Sequence, residues 1–161
     1  MSSKKHPGLP HFIAAVLTDE AINRLKIAVG DFKFSNSTLK EDQYCHHVTL
    51  AFNPDLSDYE KIRKTAPEGT EVIVKCKKLC HSEEFGAEAA LVEVYNKDGK
   101  PVFVQSGYPH ITISTEGKSP VAGKQLFEYS DDGYEGNKYI SDLECNDMSY
   151  LVLDAIVSYK E

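Results

Sequence analysis

The chain has no tryptophan, only two methionines, and just four cysteines and ten glycines among its 161 residues. It also lacks long hydrophobic runs: no segment approaches the roughly twenty apolar residues that a membrane-spanning helix needs. Lys4 and Lys5 give the N-terminus a basic start. The apolar stretch behind them stops at Asp19-Glu20, too soon for a secretory signal core, so a cytoplasmic or nuclear location is expected. Positive charge is in deficit, with 18 Lys and Arg against 25 Asp and Glu, a net charge of −7. That balance excludes broad, sequence-independent binding to duplex DNA, which depends on basic side chains neutralising phosphates. A small nucleotide or a single RNA end, held by local contacts, stays compatible.

The cysteines at 45, 76, 80 and 145 show no Cys-x-x-Cys spacing. Without a secretory signal they are expected to be reduced thiols. Cys76-x-x-x-Cys80-His81 lacks both the spacing of a zinc pair and a second pair of ligands, so no metal is assigned and His81 is expected at the surface. Hydrophobic residues at 41% and a length suited to one core predict a single domain over 1–161.

Phe12–Leu17 is a continuous apolar run of strand length. Thr18 can cap a following helix, with Asp19 and Glu20 in its first turn, Ile22, Leu25 and Val29 on one face, and Gly30 as a stop. A polar loop leads to a strand from Tyr44 to Phe52, which Asn53-Pro54-Asp55 breaks. Ser57-Asp58-Tyr59-Glu60 has the form of a capping box opening a short helix to about Lys64. Strands are expected at Glu71–Leu79, Ala87–Tyr95 and Pro101–Gln105, with a hairpin turn at Asn96-Lys97-Asp98-Gly99. Residues 115–138 lose periodicity and could form a lid, with a helix starting near Ser119-Pro120. Met148–Tyr159 closes the chain as a strand.

Two of these strands carry the same pattern. His47-Val48-Thr49-Leu50 and, sixty-three positions later, His110-Ile111-Thr112-Ile113 each read His, apolar, Thr, apolar. Strand side chains alternate between faces, so each copy sets an imidazole and a hydroxyl on one side and buries aliphatics on the other. Taken singly, either histidine would be an ordinary strand residue. Together, two imidazoles in opposite protonation states can pass protons through a displacement at phosphorus, while the hydroxyls donate to the non-bridging oxygens. This chemistry needs no metal and no cofactor. Ser114 continues the second polar face. Tyr108 is a candidate for stacking a base, or for packing, and Lys118 and Lys124 are candidates for meeting phosphate from the lid. His46 faces away from His47, and His6 and His11 have no partner motif.

His46-His47-Val48-Thr49-Leu50-Ala51-Phe52 and Gly107-Tyr108-Pro109-His110-Ile111-Thr112-Ile113 resemble the duplicated signature of the two-histidine phosphoesterases, and most of all the cyclic phosphodiesterase domains of fungal-type tRNA ligases. The resemblance implies an α+β (mixed α/β) fold, bilobal, with antiparallel sheets, pseudo-two-fold symmetry and a central cleft. It further implies a monomeric enzyme that hydrolyses 2',3'-cyclic phosphates on nucleotides or RNA ends without a metal, using His47, Thr49, His110 and Thr112. By analogy with that family His110 is the base and His47 the acid. A 2',5'-linked oligonucleotide or an ADP-ribose cyclic phosphate would suit the same four groups, and a non-catalytic RNA-end or nucleotide-binding module is the reading outside enzymology. No P-loop or nucleotidyl-transfer lysine motif supports a ligase.

Overall fold

A computed structural model describes residues 8–30, 46–83, 86–114, 126–127 and 137–160. Its elements are β1 (Phe12–Leu17), α1 (Asp19–Gly30), β2 (His47–Phe52), α2 (Leu56–Thr65), β3 (Glu71–Ser82), β4 (Ala87–Asn96), β5 (His110–Ser114), β6 (Glu144–Asp147) and β7 (Val152–Lys160). None of the helices is long and apolar enough to cross a membrane, among the described residues.

Local chemistry accounts for the helices and the turn. Thr18 opens α1, its hydroxyl accepting from the Ala21 amide at 3.2 Å. The cap of α2 is Asp55, whose carboxylate accepts from the Asp58 amide at 2.8 Å, so the helix starts before the expected Ser57 box. At the β4 turn the Asn96 side-chain oxygen accepts from the amides of Asp98 and Lys100, and its amide group donates to Thr65 O. Gly99, at φ +81°, supplies the left-handed step this turn requires.

All strand pairings among the described residues are antiparallel, and the neighbour order β4-β5-β2-β1-β7-β3 returns on itself because β3 also pairs with β4. The described chain is therefore mostly antiparallel sheet closed into a six-stranded barrel, with two short helices. This corrects the expected α+β, bilobal architecture. The reason lies in the long β3–β4 hairpin, whose two outer edges pair with β7 and β5 respectively. It joins into one ring the strands that would otherwise have formed two separate lobes. β6 stands outside the ring on the distal half of β3.

The period-2 pattern determines what fills the core. Ile13, Ala15 and Leu17 of β1, Val48 and Leu50 of β2, and Ile111 and Ile113 of β5 form one cluster with Leu25 of α1 and Ile62 of α2. A smaller cluster of Cys80, Ala87, Ala89, Leu91, Leu126 and Phe127 covers the distal part of β3 and β4.

Three further expectations change. Pro101–Gln105 is no strand: Pro101 makes an isolated bridge with Tyr95, and the Gln105 amide donates to Leu50 O at 2.8 Å. Cys80 and Cys145 form a disulfide rather than free thiols, because β3 and β6 set them directly opposite each other with Cα atoms 4.1 Å apart. The next pair along, His81 opposite Glu88, is buried with Nδ1 3.5 Å from a carboxylate oxygen, so His81 is an interior residue and not a surface one.

Candidate active site

β2 and β5 meet at Val48 opposite Ile111, both fully buried. In an antiparallel pair the flanking positions also oppose each other, which sets His47 against Thr112 and Thr49 against His110. All four side chains then project to the face away from the aliphatic cluster, and all four are partly exposed. The duplicated pattern thus becomes one patch, with imidazoles at one diagonal and hydroxyls at the other.

The rows continue sideways. β1 brings Val16 beside His47 and Ala14 beside Thr49, while β4 brings Leu91 beside His110 and Ala89 beside Thr112. Ala14, Ala89 and Leu91 are buried, so the patch has apolar neighbours on two sides.

His47 sits edge-on to the Phe12 ring, with centroids 5.6 Å apart. Its pKa is pushed below the ordinary value of 6.5, first by burial, then by the neighbouring charge of His46 and that of His110. His110 is close enough to His47 for the charge of one to be felt by the other. The Nδ1 atom of His110 lies 2.7 Å from the carbonyl oxygen of Tyr108. A carbonyl only accepts, so Nδ1 carries the proton in this contact.

The Tyr108 ring packs against the smaller cluster instead of standing free, and its amide donates to Ser106 Oγ at 3.1 Å. Ser114 ends β5, its backbone in register with Glu88. Lys118 and Lys124, and with them most of the expected lid and its helix, lie outside the described residues. Within that stretch Leu126 and Phe127 are described and buried, and the Phe127 ring stands 6.0 Å from that of His110.

Sequence reasoning missed Phe12, Phe127 and Phe52 as neighbours of the patch. Phe12 was legible as a strand residue of the opposite parity to Ile13. No local signal marks Phe127.

Neither a protein-family model nor a curated protein matches the chain. Among solved structures, a crystal structure of a fungal RNA kinase is similar over 99% of this chain, with a TM-score of 0.58 and 15% identity. The similarity is one of fold. The chain spans about half of that protein, 48% of its length.

Proposed function

We propose that the chain is a metal-independent phosphodiesterase of the two-histidine type that opens a 2',3'-cyclic phosphate on a nucleotide or RNA end, leaving a phosphomonoester. One observation carries this reading: the β2–β5 register, which gathers both His-x-Thr pairs on one open face. The shared fold with a protein described as a fungal RNA kinase directs the reading toward RNA ends. Kinase activity is not carried over, since the sequence offers no P-loop for a nucleoside triphosphate.

In the mechanism we propose, the cyclic phosphate lies between the imidazoles with its non-bridging oxygens toward the Thr49 and Thr112 hydroxyls. Neutral His110, its tautomer set by the Tyr108 carbonyl, takes a proton from the attacking water at Nε2. His47 gives its proton to the departing ribose oxygen. A lowered pKa makes His47 a ready donor, and the bound anion supplies the negative charge that keeps it protonated until then.

The test is turnover of 2',3'-cyclic nucleotides and cyclic-phosphate-ended RNA by the purified chain in excess EDTA, with product analysis. Hydrolysis that survives chelation and has a bell-shaped pH profile supports the mechanism. A strict requirement for a divalent ion defeats it, and binding without any turnover points to a non-catalytic module instead.

A further inference from the structure

The smaller buried cluster borders His110. The Phe127 ring stands 6.0 Å from the imidazole, Leu91 opposes His110 in the β4–β5 register, and Tyr108, whose carbonyl oxygen faces Nδ1, packs on the same cluster. At the far side of that cluster is Cys80, fully buried and bonded to Cys145 on β6. One cross-strand row joins the two ends: Cys145 opposes Cys80, Cys80 opposes Ala89, and Ala89 opposes Thr112. The disulfide and the candidate catalytic residues of β5 therefore share one packed unit.

The strand that the disulfide fastens has few other holds. β6 is exposed at all four positions, and among the described residues it pairs with β3 alone. Its C-terminal end is anchored separately, because the Met148 amide donates to Lys77 O at 2.9 Å and the Met148 side chain is buried. Toward its N-terminus the chain runs back through Leu143 and Ile140, which pack on the smaller cluster, to Asn137, whose amide donates to Leu126 O at 2.7 Å, next to Phe127. A further tie to β3 is the Asp142 carboxylate, which accepts from Ser82 Oγ at 2.6 Å. Buried side chains hold one arrangement only while they stay close-packed. Opening the disulfide loosens this cluster at its edge, and His110 is the imidazole that rests on it.

We infer that Cys80–Cys145 is a thiol-controlled switch on the candidate active site. Oxidised, it holds the cluster that positions His110; reduced, it lets the imidazole drift from its working place. The inference rests on the diesterase reading above and adds its regulation. The chemistry balances with a dithiol as reductant. A thiolate of the reductant attacks Cys145, the exposed partner, forming a mixed disulfide and expelling Cys80 as a thiolate. The second thiol of the reductant then displaces Cys145 and leaves as a cyclic disulfide. Two electrons and two protons pass to the chain, which ends with two thiols, and a disulfide oxidant reverses the exchange. Both cysteines are positioning residues, since they act through the cluster and not on the phosphate.

The test measures turnover of 2',3'-cyclic nucleotides and the imidazole NMR spectrum of the full chain when oxidised, reduced with dithiothreitol, and reoxidised with oxidised glutathione. Reduction is expected to lower kcat by about ten- to hundredfold, with KM moving far less, and reoxidation to restore it. The signal of the His110 Nδ1 proton shifts or broadens on reduction while the His47 ring signals stay in place. Cys145→Ser shows the reduced values and no response to dithiothreitol. All samples are compared at a temperature where circular dichroism shows them folded. Leu143→Ala, which loosens the same edge with the sulfurs intact, moves kcat and the His110 signal in the same direction. An unchanged kcat or an unchanged His110 signal in the folded, reduced chain overturns the switch and leaves the diesterase reading standing. A reduced chain that is unfolded at every temperature overturns it as well, since the link is then structural only. Failure of the oxidised, unaltered chain to hydrolyse the nucleotides removes the diesterase reading instead, an outcome recognised before any reductant is added.

Discussion

His110 reaches back two residues to place its Nδ1 hydrogen on the carbonyl oxygen of Tyr108, at 2.7 Å. Pro109 lies between them, and the Ser106 hydroxyl accepts from the Tyr108 amide, so the accepting carbonyl sits on a stiff segment. The segment that leads into β5 thus fixes the tautomer of the imidazole with which the strand begins.

A substitution can separate that anchoring from catalysis. Asparagine at 110 keeps an N–H able to reach the Tyr108 carbonyl but has nothing in place of Nε2. His110→Asn is expected to lower kcat by about 10²- to 10⁴-fold while the thermal midpoint barely moves. Steady-state kinetics and a melting curve on the same preparation check both halves.

His46 is exposed and contributes no proton in the proposed reaction, yet its charge is the second cause of the lowered His47 pKa. His46→Gln is expected to raise the His47 pKa. In the proposed roles activity needs His47 protonated, so the alkaline limb of kcat/KM moves to higher pH. Imidazole NMR titration and the pH–rate profile should shift together; a shift in one alone contradicts the assignment of His47 as acid.

Stability should carry the same signature. Because the folded pKa of His47 is depressed below 6.5, the unfolded chain takes up its proton first as pH falls. The His47 contribution is intact above about pH 6.5 and is lost on acidification toward the folded value. The urea midpoint of the unaltered chain is expected to drop between neutral and mildly acidic pH, and His47→Gln to lessen that drop.

Cys80–Cys145 closes a loop across a sequence separation of 65 residues. Replacing both with alanine is expected to cost about 2–4 kcal/mol, read from denaturant unfolding, and peptide mapping without reductant should recover the linked pair. Cys76, buried and with its thiol pushed up to about 12, is expected to resist alkylation until the chain unfolds.

The register itself can be probed from behind. Ile111 is fully buried opposite Val48, and Ile111→Ala is expected to cost about 2–5 kcal/mol. It also loosens the contact that aligns the two polar faces, so turnover measured under conditions where the variant stays folded should fall as well.

Much of the local structure was legible because its causes are local. The apolar run of β1, the Thr18 start of α1 and the Asn96–Gly99 turn depend on residues a few positions apart. The matched parity of His47 with Thr49 and of His110 with Thr112 needed only the period of a strand. Barrel closure was not legible, since it depends on which distant edges find each other, and the β3–β4 hairpin could as well have stayed within one lobe. The same applies to β6, whose four exposed residues carry no alternation, and to the disulfide, which needs a register no spacing encodes.

Ring closure also governs what this protein offers to its own copies. A sheet that ends on itself exposes few unpaired amides and carbonyls for a second molecule to extend. The described strand standing outside the ring is β6, four residues long, with a carboxylate at either end, Glu144 and Asp147. Two copies brought edge to edge there meet like charge on a template of only four residues, a poor start for extending the sheet from one molecule to the next.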